Sequence, residues 1–281
     1  DQRPLERREV ASIAVGARAA LLAERLRDER CEYAVGVRLH VNRDESILDI
    51  GGLESPMVRE YTVGVAGTLG TRGYVRADVV LRDWENFYTS FRDTATGKVT
   101  DPRTATQYDL SIIRSSSDVY DRKYTGVQTQ FDYRLIQRLR LGGTYTWSRL
   151  TGNVTGEDSG TGPLVGVAAE YPEYRQERWN YPTGYLTGDQ RHRARLWVSY
   201  DQPTPVGDFN VSVLQNFDSG SRSSLDASID PRPFVTNPGY LTPPATVDYF
   251  IGGRGGLKGE DITRTDLALN YNLRLGGVQV F

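Results

Sequence analysis

Beyond residue 55, apolar side chains fall on every second position of the chain, segment after segment. Tyr61, Val63, Val65 and Leu69 alternate with Thr62, Gly64, Ala66 and Thr68, and Val75, Ala77, Val79 and Leu81 oppose Arg76, Asp78 and Arg82. Period two marks a strand, because successive side chains leave a pleated backbone on opposite sides. The pattern recurs with Val127, Phe131, Tyr133 and Leu135 against Gln128, Gln130, Asp132 and Arg134, and with Leu139, Leu141, Tyr145 and Trp147 against Arg140, Thr144 and Thr146. It returns in Ala194, Leu196, Val198 and Tyr200 against Arg193, Arg195, Ser199 and Asp201, in Phe209, Val211 and Val213 against Asn210 and Ser212, and in Leu267, Leu269, Tyr271, Leu273 and Leu275 against Asp266, Asn270, Asn272 and Arg274. Seven strands are expected, with the start of an eighth at Val278 to Phe281.

The links between these segments differ sharply in length. Short ones fall near Gly70 to Gly73, Ile136 to Arg138, Pro203 to Gly207 and Gly276 to Gly277, and they alternate with long ones near 92–119, 151–190 and 219–261. Short turns on one side and long loops on the other are the rhythm of an outer-membrane barrel. A β-sandwich also gives each strand one apolar face. The segments 74–91 and 120–135 exceed the usual ~5–6 residues of a globular strand and reach the ~9–11 needed to cross a bilayer obliquely. Aromatics near the segment ends extend the barrel reading: Tyr74, Tyr133, Tyr200 and Phe209 sit beside short turns, and Trp84, Trp147 and Phe217 toward long loops, as two interfacial girdles.

Composition alters the picture in a few places. The net charge of -2 over 281 residues argues against a nucleic-acid partner. Cys31 stands alone, which excludes an internal disulfide framework or a multi-cysteine metal site. No run of ~18 apolar residues forms a membrane-spanning helix, and the mean hydropathy of -0.50 decides nothing, since a barrel with a wet lumen gives lipid only alternate residues. Residues 9–30 place Val10, Ile13, Ala14, Ala17, Leu21 and Leu22 near helical spacing, and an amphipathic helix packed in a loop region is expected over 1–54. The first residue is Asp1 and no signal-peptide succession follows, so a removed leader or an internal piece of a longer protein is expected.

Several stretches resemble a known family. "SPMVREYTVGVAGTLGTRGYVRADVVLRDWENFYTSF" at Ser55 to Phe91 is similar to a strand, turn and strand in the C-terminal barrel of TonB-dependent outer-membrane receptors. The likeness is strongest to the Oar-like group, which carries a carboxypeptidase-regulatory-like domain before the plug. "RKYTGVQTQFDYRL" at Arg122 to Leu135, "LRLGGTYTWSRLTGN" at Leu139 to Asn153, the stretch Tyr181 to Gly220 and "TRTDLALNYNLRL" at Thr263 to Leu275 extend it over residues 55–281. The resemblance implies an all-β fold: a partial antiparallel transmembrane β-barrel holding seven or eight of about 22 strands. It also implies the outer membrane of a Gram-negative bacterium, with outer-membrane lipid, a plug domain, the TonB complex and an extracellular ligand as partners. The implied activity is uptake of a large nutrient such as an oligosaccharide, peptide or siderophore, without cofactor or catalytic residue.

Candidate residues follow from the loops and the polar face. Tyr171, Tyr174, Arg175, Trp179, Tyr181 and Tyr185 interleave aromatics with arginine in the loop 151–190, a composition that binds sugar rings, acidic siderophores or peptides and equally one that packs a large loop upon itself. Arg76, Asp78, Arg82, Asp132, Arg193, Arg195 and Asp201 are expected on a lumen-facing polar wall. No GxSxG, HExxH or P-loop pattern occurs, His40 and His192 lie far apart, and "GEDSGTG" at Gly156 to Gly162 lacks the ligand spacing of an EF-hand loop. Two further classes stay open: a structural or adhesive outer-membrane barrel without transport, and a soluble β-sandwich binding module.

Overall fold

In the computed structural model the described residues are 33–43, 54–92, 94, 97–101, 103–110, 112–116, 119–155, 171–176, 180–275 and 278–280. The expected helix over 9–30, Cys31 and the glycine-rich tip at 156–162 lie outside them. The described part is all-β. In chain order its strands are β1 (Tyr33–Arg43), β2 (Met57–Thr68), β3 (Gly73–Glu85), β4 (Phe87–Phe91), β5 (Lys98–Thr100), β6 (Gln107–Asp109), β7 (Ile112–Ser116), β8 (Arg122–Ile136) and β9 (Leu139–Gly152). There follow β10 (Gly184–Tyr185), β11 (His192–Thr204), β12 (Gly207–Asp218), β13 (Arg222–Ser223), β14 (Leu225–Ile229), β15 (Val247–Ile251), β16 (Leu257–Lys258), β17 (Ile262–Leu275) and β18 (Val278–Val280).

One antiparallel sheet dominates, in the order β1-β2-β3-β8-β9-β11-β12-β17-β18, with β10 added to β9. Eight of its strands run 11 to 15 residues. The order is an up-and-down meander: each long strand pairs with the next, and the excursions between them sit at one end. Register carries the alternation across strands, so that Val63, Val79, Val127 and Trp147 form one row and Tyr133, Leu141, Val198, Val213 and Leu267 another. The first row starts mid-strand in β2 and ends opposite His192, the first residue of β11. This stagger inclines the strands to the rows.

The apolar face built by these rows is bare. Val63, Val79, Leu196 and Val198 are 43 to 48% exposed and Leu267 65%, and no described element packs on them. A sheet of a globular protein buries such a face against a second layer. The opposite face is polar and internally paired. Arg76 reaches the Asp78 carboxylate at 2.7 and 3.0 Å, and Arg140 reaches Asp132 at 2.9 Å. Asp218 accepts from Arg195 at 2.7 Å and Arg193 at 3.2 Å.

Glycines on this polar face make room for large partners. Trp197 lies opposite Gly142, and its indole covers that glycine so closely that an added Cβ falls 2.6 Å from the ring. Gly142→Val is therefore expected to displace the indole and cost about 1–3 kcal/mol as an overpacked site, measured as a loss of denaturant midpoint; Thr144→Val, on the same face without an indole above it, is the comparison.

Four features depart from the sequence reading. Residues 33–43, inside the stretch expected to be a loop region, form β1 and pair along their whole length with β2. The expected single segment 74–91 breaks at Asn86, whose φ of 60° is left-handed; asparagine tolerates that region, and its Nδ2 is held by the Glu54 carboxylate at 3.0 Å. The chain turns there, and β4 leaves the sheet to pair with β7. Tyr74 and Trp84, read as girdle residues, occupy the even positions of β3 with Arg76 and Asp78. Tyr74 accepts from Gln130 at 2.7 Å, and Trp84 carries the Arg122 guanidinium 4.7 Å above its ring. The proline-rich loop 219–261 is also more ordered than its composition suggests, since β13 pairs β16 and β14 pairs β15.

Candidate functional site

Buried aromatic clusters of the described residues gather at the long-loop end. One consists of Phe87, Tyr120, Val154 and Tyr181, with Trp84 and Val119 against it. Phe87 meets Tyr120 edge-on at 6.1 Å, and the Tyr120 and Thr89 hydroxyls share a hydrogen bond of 2.9 Å. Burial pushes the Tyr181 hydroxyl well above its ordinary value, reinforced by Tyr120, so it stays neutral. Asn153 closes the base of this cluster, accepting from the Asp121 N–H and donating to the Val119 carbonyl, both at 2.8 Å.

The second cluster joins three excursions of the chain. Tyr171 and Tyr174 from the loop 151–190 pack on Tyr240 from the loop 219–261, with Tyr171 and Tyr240 edge-on at 4.8 Å. The Tyr240 hydroxyl donates to the Glu173 carboxylate at 2.7 Å, and the Tyr171 hydroxyl donates to the Thr242 carbonyl at 2.6 Å. The third excursion contributes Asp109 at the end of β6. Its carboxylate accepts from the Leu241 N–H at 2.9 Å, the Thr242 N–H at 3.0 Å and the Thr242 hydroxyl at 3.2 Å.

Asp109 gives this latch a pH dependence. Partial burial works to raise its carboxyl, but the N–H groups of Thr242 and Leu241, the Thr242 hydroxyl and Lys98 outweigh it and hold the group below its ordinary value. A depressed folded value stabilises above the unfolded pKa of ~3.9, and that contribution is lost as pH falls through the folded value. Protection of the Leu241 and Thr242 amides, measured by hydrogen exchange and corrected for intrinsic rates, is expected to hold at pH 6 and fall below about pH 4. In Asp109→Asn it is expected to be weaker and flat across that range.

The six loop candidates therefore separate. Tyr171, Tyr174 and Tyr181 are buried in the two clusters and hold the loops together. Arg175 is half-buried where the turn Pro172–Tyr174 ends. Tyr185, in β10, stands apart beneath three arginines, and Trp179 lies outside the described residues.

On the polar face, Arg76 pairs with Asp78, while Arg82 takes Glu60 as partner and lies 5.4 Å over the Tyr124 ring. Asp132 is held by Arg140, and Asp201 accepts from Asn210 at 2.7 Å. Arg193 and Arg195 share Asp218, so of the seven expected wall residues Arg76 and Asp78 pair with each other and the rest take other partners. His192 sits on the opposite, apolar face, stacked on Tyr145 with its Nδ1 2.8 Å from that hydroxyl.

Compared with family models, curated proteins and solved structures, the chain has no match. Among the described residues no His, Cys, Asp and Glu group could hold a metal ion, and no helix is long and apolar enough to cross a membrane, which says nothing of crossing by strands. The loop latch joining 109, 171–174 and 240–242 has no motif in the sequence. Its signal is only the aromatic density of the two long loops.

Proposed function

We propose that this chain is part of the wall and the extracellular cap of an outer-membrane β-barrel receptor. One observation carries the reading: the long strands leave their apolar face bare, while the buried clusters sit in the loops at one end. Strands of 11 to 15 residues are long enough for a bilayer, links of two to four residues join β2 to β3, β8 to β9 and β11 to β12 at the other end, and the polar face is satisfied by its own ion pairs as a wet lumen requires. By resemblance to the TonB-dependent receptors, the latched loops capture a large nutrient and uptake is coupled to the proton gradient through a plug.

The test uses intact Gram-negative cells producing the protein. In a Cys31→Ser background, a cysteine at Thr187, exposed at the loop end, is expected to react with a membrane-impermeant maleimide. One at Val206, 55% exposed in the short turn, is expected to react only after the outer membrane is permeabilised. Equal labelling of both, or recovery in the soluble fraction, contradicts the reading. Uptake of an oligosaccharide, peptide or siderophore that stops when the proton gradient is collapsed separates a transporter from a barrel that only presents its loops.

A further inference from the structure

At the long-loop end of β9, on the apolar side of the sheet, three arginines from separate parts of the chain converge on one tyrosine. The Arg149, Arg191 and Arg222 guanidinium carbons lie 5.4, 5.1 and 4.6 Å from the centre of the Tyr185 ring. Arg191 also stands 5.7 Å from the Trp147 ring. The face is fixed by register. Arg149 continues the series Leu139, Leu141, Tyr145, Trp147, and Tyr185 pairs with Thr151, two residues further on the same side.

Among the described residues the cluster carries three positive charges against one negative. Asp189 is almost fully buried; its Oδ2 lies 3.4 Å from Arg191 and 3.7 Å from Arg222, and its Oδ1 accepts from the Leu150 N–H at 2.7 Å. The Nε of Arg191 is buried with no hydrogen-bond partner. An aromatic ring holds guanidinium groups in place through its π face and leaves their charge unneutralised. Arg191 is engaged by Asp189 and by Tyr185, and Arg222 by Asp189, so the exposed Arg149 offers its planar fork to an oxyanion with several acceptors while the other two add positive charge beside it.

The height of the cluster identifies the anion. Arg149 lies ten residues beyond Leu139, the first residue after the short turn; at ~3.3 Å per residue that is about 33 Å along the strand, or about 25 Å across the membrane at a tilt of ~40°, the height of a barrel's apolar band. The guanidinium groups then stand where the far leaflet's headgroups begin, directly above Tyr145 and Trp147 on the apolar face. We propose that Arg149, Arg191 and Arg222 bind the phosphates of an anionic glycolipid of the outer leaflet, whose acyl chains run down the bare face below. This inference rests on the membrane reading given above.

The experiment measures binding of bisphosphorylated lipid A, its dephosphorylated form and inorganic phosphate to the protein in vesicles. Arg149 is exposed and makes no ion pair with a described carboxylate, so Arg149→Gln leaves the Asp189 pairs intact; Arg222→Gln is the second variant. The wild type is expected to hold bisphosphorylated lipid A about tenfold more tightly than either variant, as loss of one charge-assisted contact predicts, and to discriminate against the dephosphorylated lipid. Equal competition by inorganic phosphate overturns the lipid assignment in favour of a free-anion site. Unchanged lipid binding by variants that still insert overturns the cluster's role and leaves the membrane reading standing. Failure of the wild type to insert at all removes the membrane reading, and this inference with it.

Discussion

Val198→Arg is expected to cost the protein about 2–4 kcal/mol of stability in a bilayer, because the depth of the substitution sets the desolvation of the new charge and Val198 lies mid-strand on the bare face. Its row neighbours are Leu141 and Val213, and it is 45% exposed. In water the same change at a half-exposed valine falls within about 0.5 kcal/mol of neutral. The two environments thus predict effects differing several-fold for one substitution. Folding into vesicles, followed by urea titration, measures it. Gln128→Arg, on the exposed polar face, is the companion change and is expected to be tolerated, since its charge faces the side already lined by Arg76, Asp78 and Arg193.

Tyr240→Ala is expected to unfasten the loops without melting the sheet. The variant loses a ring packed 4.8 Å from Tyr171 and 6.4 Å from Tyr174, and it strands the Glu173 carboxylate that the hydroxyl serves. Emptying a buried aromatic site costs about 3–5 kcal/mol. Because these contacts join the loops to one another and the sheet is held by its own ladders, the loss should appear as local opening. Cleavage between residues 230 and 246 by added protease is expected to accelerate on the order of a hundredfold when opening is in rapid equilibrium, with the sheet's denaturant midpoint unchanged. Tyr240→Phe keeps the ring and is expected to lose only about 1.5–3 kcal/mol with its hydrogen bond to the Glu173 carboxylate. If Tyr240→Ala unfolds the sheet as well, the loops and wall form one cooperative unit and the latch is not a separate element.

Much of the wall could be read from the chain because a strand with one bare face leaves period two unbroken. Leu267 through Leu273 states its two faces residue by residue, and β17 follows it. The same signal runs through β1, where Val35, Val37, Leu39 and Val41 alternate with Gly36, Arg38 and His40; the helical spacing just before it makes the stretch read as part of a loop region. The ribbons of the long loops were invisible for a different reason. Strands of two to five residues, such as β13 and β14, are too short for any period to show, and prolines beside them argue for irregular chain.

Partners were harder to read than faces. Alternation puts Arg193 and Arg195 on the polar side, but only the register of β11 on β12 brings Asp218 to them, across 25 and 23 residues. Aromatic density announced that the loop 151–190 matters and left its role open, since a ligand platform and a loop core use the same residues. The buried Tyr171, Tyr174 and Tyr181 belong to cores. The arginine cluster on Tyr185 has no signature, because Arg149 of β9, Arg191 just before β11 and Arg222 of β13 are distant in sequence and only the folded sheet assembles them.

The central claim is that one face of this sheet meets lipid and the other meets water. Nitroxide labels placed one at a time on cysteines at 194 through 201, in a Cys31→Ser background and in vesicles, measure it residue by residue through collisions with oxygen and with a water-soluble nickel reagent. Oxygen access is expected to peak at Ala194, Leu196, Val198 and Tyr200, and nickel access at Arg195, Trp197, Ser199 and Asp201, the two profiles alternating out of phase. Nickel access as high at Leu196 and Val198 as at Ser199 would put both faces in water and contradict the account.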